Sequence, residues 1–232
     1  NSVTVTITDN DTAGVLITPT TLNVSEGGAA TNYTVKLTSQ PNANVFMTIS
    51  GNGQTTYAPN PLTFTPQTWA TAQTVSVTAV DDNDIEGAHN DTLTHTAFSA
   101  DSTYNNIDIS PVTVAIVDND TAGVSITPTV IEVTEGGSPA VYSIVLTSLP
   151  EQNVTINITT DDQLGSSPDT VTFTPQNWHI AKTIVITAVN DAIVEDLQIS
   201  TINHTVSSSD ALYNNIAASD VTVQVYDNDH NR

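Results

Sequence analysis

The sequence predicts an all-β protein built as two β-sandwiches in tandem. Three observations carry this. An internal repeat runs through the chain, apolar residues alternate with Thr, Ser and Asn inside each copy, and no stretch shows convincing helical periodicity. Gly14-Val15 returns as Gly123-Val124, an offset of 109 residues with no gap. At the same offset Glu26-Gly27-Gly28 returns as Glu135-Gly136-Gly137, and Leu37-Thr38-Ser39 as Leu146-Thr147-Ser148. Phe64-Thr65-Pro66-Gln67 with Trp69 returns as Phe173-Thr174-Pro175-Gln176 with Trp178, and Tyr104-Asn105-Asn106-Ile107 as Tyr213-Asn214-Asn215-Ile216. Asp-Asn-Asp occurs three times, at Asp9, Asp118 and Asp227, each time after an alternating stretch: Val3–Thr8, Val112–Val117 and Val221–Tyr226. The expected organisation is therefore the last strand of a preceding repeat (1–11), a first domain (12–120) and a second (121–232).

Each predicted strand has its own signal. In the first repeat strand A covers 14–25 and is broken at Pro19, because proline cannot donate to a ladder. Strand B (31–38), strand C (43–50), strand E (71–80) and strand F (92–99) follow from period-two alternation of β-branched residues, with 74–80 the clearest case. Strand D (61–65) is a short run between prolines, and strand G (111–117) ends at Asp118. Seven short strands in about a hundred residues is the arithmetic of an immunoglobulin-like sandwich. The predicted fold is two tandem immunoglobulin-like seven-stranded β-sandwiches. Only Asp118-Asn119-Asp120-Thr121-Ala122 separates them, too short and too poor in Gly and Ser for a flexible linker.

Composition narrows function. The 232 residues hold 25 Asp+Glu against 3 Lys+Arg, a formal net charge of -22. Nucleic acid and anionic membrane surfaces demand a cationic face, so neither is an expected partner. No apolar run approaches the ~20 residues of a membrane span. No leader-like segment opens the chain, which fits a mature protein or an internal fragment. Cysteine is absent, which removes disulfides, thiolate metal sites and thiol nucleophiles. No Gly-x-Ser-x-Gly elbow, phosphate-cradling loop or His-Glu-x-x-His pattern occurs, so no enzymatic activity is expected.

The acids gather at strand ends. In the first repeat they are Glu26 after A, Asp81, Asp82, Asp84 and Glu86 after E, and Asp118 and Asp120 after G. In the second they are Glu135, Asp161, Asp162, Asp191, Glu195, Asp196, Asp227 and Asp229. Strands A, C, E and G of a sandwich finish at one end, so these groups converge on one tip per domain. Crowded carboxylates repel unless a cation lies among them. With no Cys and with the histidines expected elsewhere, an oxygen-only set selects a hard ion, Ca2+ ahead of Mg2+. A solvated acidic face is the plain alternative, but it does not account for acids placed at alternate strand ends in both repeats. Asp82-x-Asp84-x-Glu86-Gly87 imitates an EF-hand loop, yet Leu93 stands where the bidentate Glu belongs and strands flank the loop.

These motifs together also resemble the Calx-beta domain. They are Glu-Gly-Gly after the first strand, Phe-Thr-Pro-Gln-x-Trp before strand E, Ala-Val-Asp-Asp-x-Asp-x-Glu after it, and Asp-Asn-Asp closing strand G. The resemblance covers essentially the whole chain in two copies. It implies a seven-stranded sandwich binding calcium at its tip loops, a module found in sodium–calcium exchangers and in arrays of bacterial surface proteins and adhesins. Carried over by position, the implied ligands are Glu26, Asp82, Glu86, Asp118 and Asp120, then Glu135, Asp161, Asp191, Glu195, Asp227 and Asp229. Asp9 and Asp11 would serve the preceding repeat in the same way. The copies depart from each other: Asn190 and Ile193 replace Asp81 and Asp84, Asp161 and Asp162 replace Asn52 and Gly53, and Asp196 replaces Gly87. Both tips are expected to bind calcium, with different ion positions or counts.

The expected role is a calcium-binding structural module of an extracellular or cell-surface protein, such as a fibre, matrix protein or adhesin stalk. Its expected partners are neighbouring repeats of the same chain or identical subunits. A calcium-sensing tandem domain is one alternative. A carbohydrate-binding module using Trp69 and Trp178 is another, although both tryptophans are expected to anchor cores. His95 and His204, equivalent positions on strand F, are expected to pack and not to ligate.

Overall fold

Alternation sorts each repeat into an inner and an outer face. In the computed structural model, which describes residues 2–6, 8 and 10–229, strand after strand buries every second residue. The first repeat forms β1 (Val15–Thr18), β2 (Thr21–Ser25), β3 (Thr31–Leu37), β4 (Val45–Ser50), β5 (Thr55–Ala58), β6 (Leu62–Phe64), β7 (Gln73–Ala79), β8 (His89–Ser99) and β9 (Val112–Val117). The second forms β10 (Val124–Thr127), β11 (Val130–Thr134), β12 (Ala140–Leu146), β13 (Val154–Thr159), β14 (Leu164–Ser167), β15 (Thr170–Phe173), β16 (Lys182–Ala188), β17 (Gln198–Ser208) and β18 (Val221–Tyr226). No helix occurs among the described residues, and none is long and apolar enough to cross a membrane.

Each repeat is a two-sheet sandwich. In the first, one sheet runs β1-β3-β7-β5 and the other β2-β9-β8-β4-β6. The second repeat has β10-β12-β16-β14 and β11-β18-β17-β13-β15. The seven strands predicted for each repeat are present, with two changes. Strand A divides at Pro19 into β1 and β2, which belong to different sheets. A further strand, β5, adds an edge by pairing antiparallel to β7. The predicted strand over Val3–Thr8 does not form at residues 2–6 and 8. Val3 and Val5 are exposed there, while Ile7 and Asp9 lie outside the described residues.

The chain divides into two compact units: residues up to Asp82 with Glu86–Asn119, and Asn83–Ile85 with the residues from Asp120 onward. Each has its own core. In the first, Val35, Val45, Met47, Phe64, Val75, Val77, Leu93 and Val112 are fully buried between the sheets. In the second, Ile144, Val154, Phe173, Ile184, Ile186, Ile202 and Val221 do the same. Trp69 and Trp178 are only half-buried and pack at the core margin. Tyrosines are the largest fully buried side chains. Tyr104 donates its hydroxyl to the Ser39 carbonyl at 2.6 Å and accepts the Ser39 N–H at 3.1 Å. Tyr213 repeats this with Ser148 at 2.6 and 3.2 Å.

One pairing places the tip. β2 lies parallel to β9 with Ser25 opposite Val117, so the chain leaves both strands at the same end. The Glu26 N–H continues the ladder to the Val117 carbonyl at 3.1 Å. β8 runs antiparallel to β9 with His89 opposite Ile116, so β8 begins where β9 finishes. The second unit copies this, with the Glu135 N–H bonded to the Tyr226 carbonyl at 2.9 Å.

Candidate metal centres at the domain tips

Glu26 follows β2 directly and turns inward. It is only 4% exposed, and neither carboxylate oxygen has a hydrogen-bond partner. Burial pushes its pKa above the ordinary value, and the negative charges of Asp118 and Asp82 push it further. The Asn119 backbone N–H and the His89 ring act in the opposite sense, the N–H without reaching hydrogen-bond geometry. A buried carboxyl in this position pays desolvation with no compensating bond. Glu135 holds the equivalent place at 2% exposure. Its pKa is raised first by burial; the Asp191 N–H opposes this, while the charges of Asp191, Asp227 and Glu195 add to it. That N–H reaches Glu135 Oε2 at 3.4 Å.

The residue after each glutamate must be glycine. Gly27 has φ +61°, and a Cβ there would lie 3.2 Å from Asn119 Nδ2. Gly136 has φ +61° and would meet Asn228 Nδ2 at 2.9 Å. The close approach serves a clamp. Asn119 donates to Asp81 Oδ1 at 3.0 Å, while Asn228 donates to Asn190 Oδ1 and to the Glu135 carbonyl, both at 2.7 Å. Asp81 and Asn190 thus share a structural task that needs an oxygen and no charge. The middle Asn of Asp-Asn-Asp thus ties its loop to the one after β7 in the first unit, and to those after β11 and β16 in the second. Its threefold recurrence was the available signal.

Asp118 organises the loop entering β8. Its Oδ2 accepts the N–H groups of Glu86 at 2.8 Å and Gly87 at 2.7 Å. Asp227 does the same for Glu195 at 2.7 Å and also accepts the Asp229 N–H at 2.6 Å. Three predicted ligands of the second unit come together: Glu135, Asp191 and Asp229 each offer an oxygen within 4.8 Å of the others. Glu195 joins this end with its Oε2 buried. In the first unit Glu26 and Glu86 group with His89, one ligand atom each, again within 4.8 Å. Glu26 and Asp118 also bring oxygens within that distance.

His89 corrects the expectation that the histidines lie away from the acids. β8 starts at His89, three positions earlier than predicted, and the start of β8 is the tip. Asp161, Asp162, Asp84, Asp196, Asp82 and Asp11 fall outside these groups. Asp161 and Asp162 are exposed in the β13–β14 turn. There Asp161 Oδ1 accepts the Gln163 N–H at 3.1 Å, as Asn52 Oδ1 accepts that of Gln54 at 3.1 Å. Asp161 therefore has a local turn role that an uncharged Asn fills in the other copy. Asp84 and Asp196 are exposed and Asp82 is half-buried, all in the connections after β7 and β16. Asp11 is exposed and Asp120, assigned to the second unit, is half-buried. His95 and His204 lie far along β8 and β17, buried and paired through Nε2 to the Tyr33 and Tyr142 hydroxyls at 2.8 and 2.9 Å.

No protein-family model matches the sequence, and no curated protein matches it. Solved structures do. The calcium binding domain CBD12 of CALX1.1 is similar at 13% identity with a TM-score of 0.44, over 90% of this chain and 99% of that one. CBD12 from CALX1.2 is similar at 14% identity and a TM-score of 0.41, over 91% and 99%. The periplasmic chaperone SfaE is similar at 10% identity and 0.37, over 92% and 100%. These likenesses concern general β architecture, and no residue role is carried over from them.

Proposed function

We propose that the chain is a calcium-binding, non-enzymatic structural module of an extracellular or cell-surface repeat protein. One observation carries the reading: each unit buries a glutamate just after β2 or β11, facing other carboxylates, and protein answers it little, with no hydrogen bond to either oxygen of Glu26 and a single long one to Glu135. A buried charge is paired or coordinates a metal. Glu26, Glu86 and Asp118 would hold the ion in the first unit, and Glu135, Asp191 and Asp229 in the second. Carboxylate-rich donor sets of this kind suit Ca2+, whose larger radius tolerates irregular oxygen shells that Mg2+ resists. The motif resemblance supports the same ion.

In this reading the ion is a structural part of the tip. It removes repulsion among the carboxylates and fixes the loops that follow β2, β7 and β9. Between β9 and β10 the chain has only residues 118–123, so ordering Asp118 restricts the connection between units. Partners would be neighbouring repeats or identical subunits. Calorimetric titration of the ion-free chain tests this. A structural site of an extracellular module should bind Ca2+ at about 10⁻⁴–10⁻³ M, with Mg2+ much weaker. Tight binding near 10⁻⁷ M would instead favour a sensing role. No heat and no binding would remove calcium from the account.

A further inference from the structure

We propose that the tip of the first unit, and not that of the second, is a mixed nitrogen–oxygen site for a borderline divalent transition ion such as Zn2+. Its ligands are Glu26, Glu86 and His89 Nε2. The proposal rests on the reading that this tip takes a cation, and adds that the first copy also accepts a borderline ion, which competes with Ca2+ for Glu26 and Glu86.

The imidazole is prepared for a metal. His89 Nδ1 lies 2.8 Å from the Gly87 carbonyl oxygen. A carbonyl only accepts, so Nδ1 carries the proton, and Nε2 of the neutral ring holds the lone pair. Donation of the second ring N–H to a backbone carbonyl is the usual support of a metal-bound histidine. Nε2 is buried and makes no hydrogen bond, and it lies 3.3 Å from Glu86 Oε2. Two ligand atoms on a tetrahedral zinc with bonds of about 2.0–2.1 Å lie about 3.3–3.4 Å apart. Gln54 Nε2 donates to Glu86 Oε1 at 2.6 Å, which leaves Oε2 facing the ring. Glu26 supplies the independent sign of a missing ligand: 4% exposed, neither oxygen hydrogen-bonded, and directed at Glu86 and His89. Three protein ligands leave a fourth position to water, and imidazole selects Zn2+, Ni2+ or Cu2+ over Ca2+.

The second unit is the internal control. Gln198 occupies the position of His89 at the 109-residue offset, and the group there is Glu135, Asp191 and Asp229, all oxygen.

The test compares the full wild-type chain with His89→Gln, which copies the second repeat, and with Glu26→Gln. Each is titrated with Co2+, whose four-coordinate complexes absorb strongly in the visible, and the ion is then displaced by Zn2+. The wild type should show a visible band abolished by one equivalent of Zn2+. Both variants should lose the band, and His89→Gln should bind Zn2+ at least about tenfold more weakly. Equal Zn2+ affinity in wild type and His89→Gln overturns the proposal, because the ion then sits elsewhere. Absence of binding by the wild type also overturns it, and leaves His89 and Glu86 as an ion pair. The calcium reading fails separately, if wild-type melting is unchanged by Ca2+ while the Co2+ band is present.

Discussion

Glu26 gives the ion-free fold a distinct pH response. Its folded pKa is raised, so the fold favours the protonated form. Its contribution to stability is fully present below the unfolded value of 4.5 and is lost as pH rises through the folded pKa. The ion-free protein should therefore lose stability from this group between acid and neutral pH. Glu26→Gln should raise the melting temperature of the EGTA-treated protein at neutral pH and flatten that decline. A lower melting temperature would mean that the carboxylate is already compensated. His95 runs the other way. Burial lowers its pKa to about 4, below the ordinary 6.5, so its stabilising effect is present above pH 6.5 and is lost as pH falls toward 4. In an NMR titration the His95 ring resonances should hold their neutral positions until near pH 4. Titration near 6.5 would show that the Tyr33–His95 pair is solvated. Burial also lowers the pKa of His204, opposed by the Ser219 backbone and Asp220.

At the scale of elements, β5 is where the two repeats solve one problem with different chemistry. Asp91 faces inward on β8, fully buried. It accepts the Asn52 N–H at 2.9 Å and the Thr55 hydroxyl at 2.6 Å, which ties the start of β5 to the other sheet. A Cβ on Gly51 would lie 2.7 Å from that carboxylate. In the second repeat Thr160, Leu164 and Ser200 stand in place of Gly51, Thr55 and Asp91, an apolar plug where the first has a polar latch. Thr55→Leu alone should cost about 1–3 kcal/mol, since it strips a buried acceptor of its donor. Adding Asp91→Ser should recover most of this, and denaturant unfolding of both variants checks it. Additive losses would contradict the latch.

The same elements show what was readable in advance. Period-two alternation marked β3, β4, β7, β8 and β9 because those strands bury one face. β5 was hidden because Thr55–Ala58 is four residues long, lies between Gly53 and Pro59, and is held by a buried Asp that pattern reading assigns to the surface. The convergence of Glu26, Glu86 and Asp118 was legible from strand direction, because acids after parallel-running strands share an end. The inclusion of His89 was not legible, because it depends on β8 reaching back three residues to the tip. The grouping that leaves out Asp161 depends on a turn hydrogen bond, which no spacing rule distinguishes from ligation.

Over the whole molecule, a charge of -22 opposes the compact state, and a carboxylate-lined tip in each unit concentrates that cost where strands end. The central claim is that cations at these tips offset it. Melting of the full chain in millimolar CaCl2 against EGTA, for wild type and for Glu26→Gln with Glu135→Gln, tests this most directly. A site that forms only in the folded chain should add about 1.4 kcal/mol at a tenfold excess over Kd, rising to about 2.7 kcal/mol at a hundredfold excess. Calcium should therefore raise the wild-type transition by several degrees and move the double variant little. Coincident wild-type curves with and without calcium, or an equal rise in the double variant, would contradict the account.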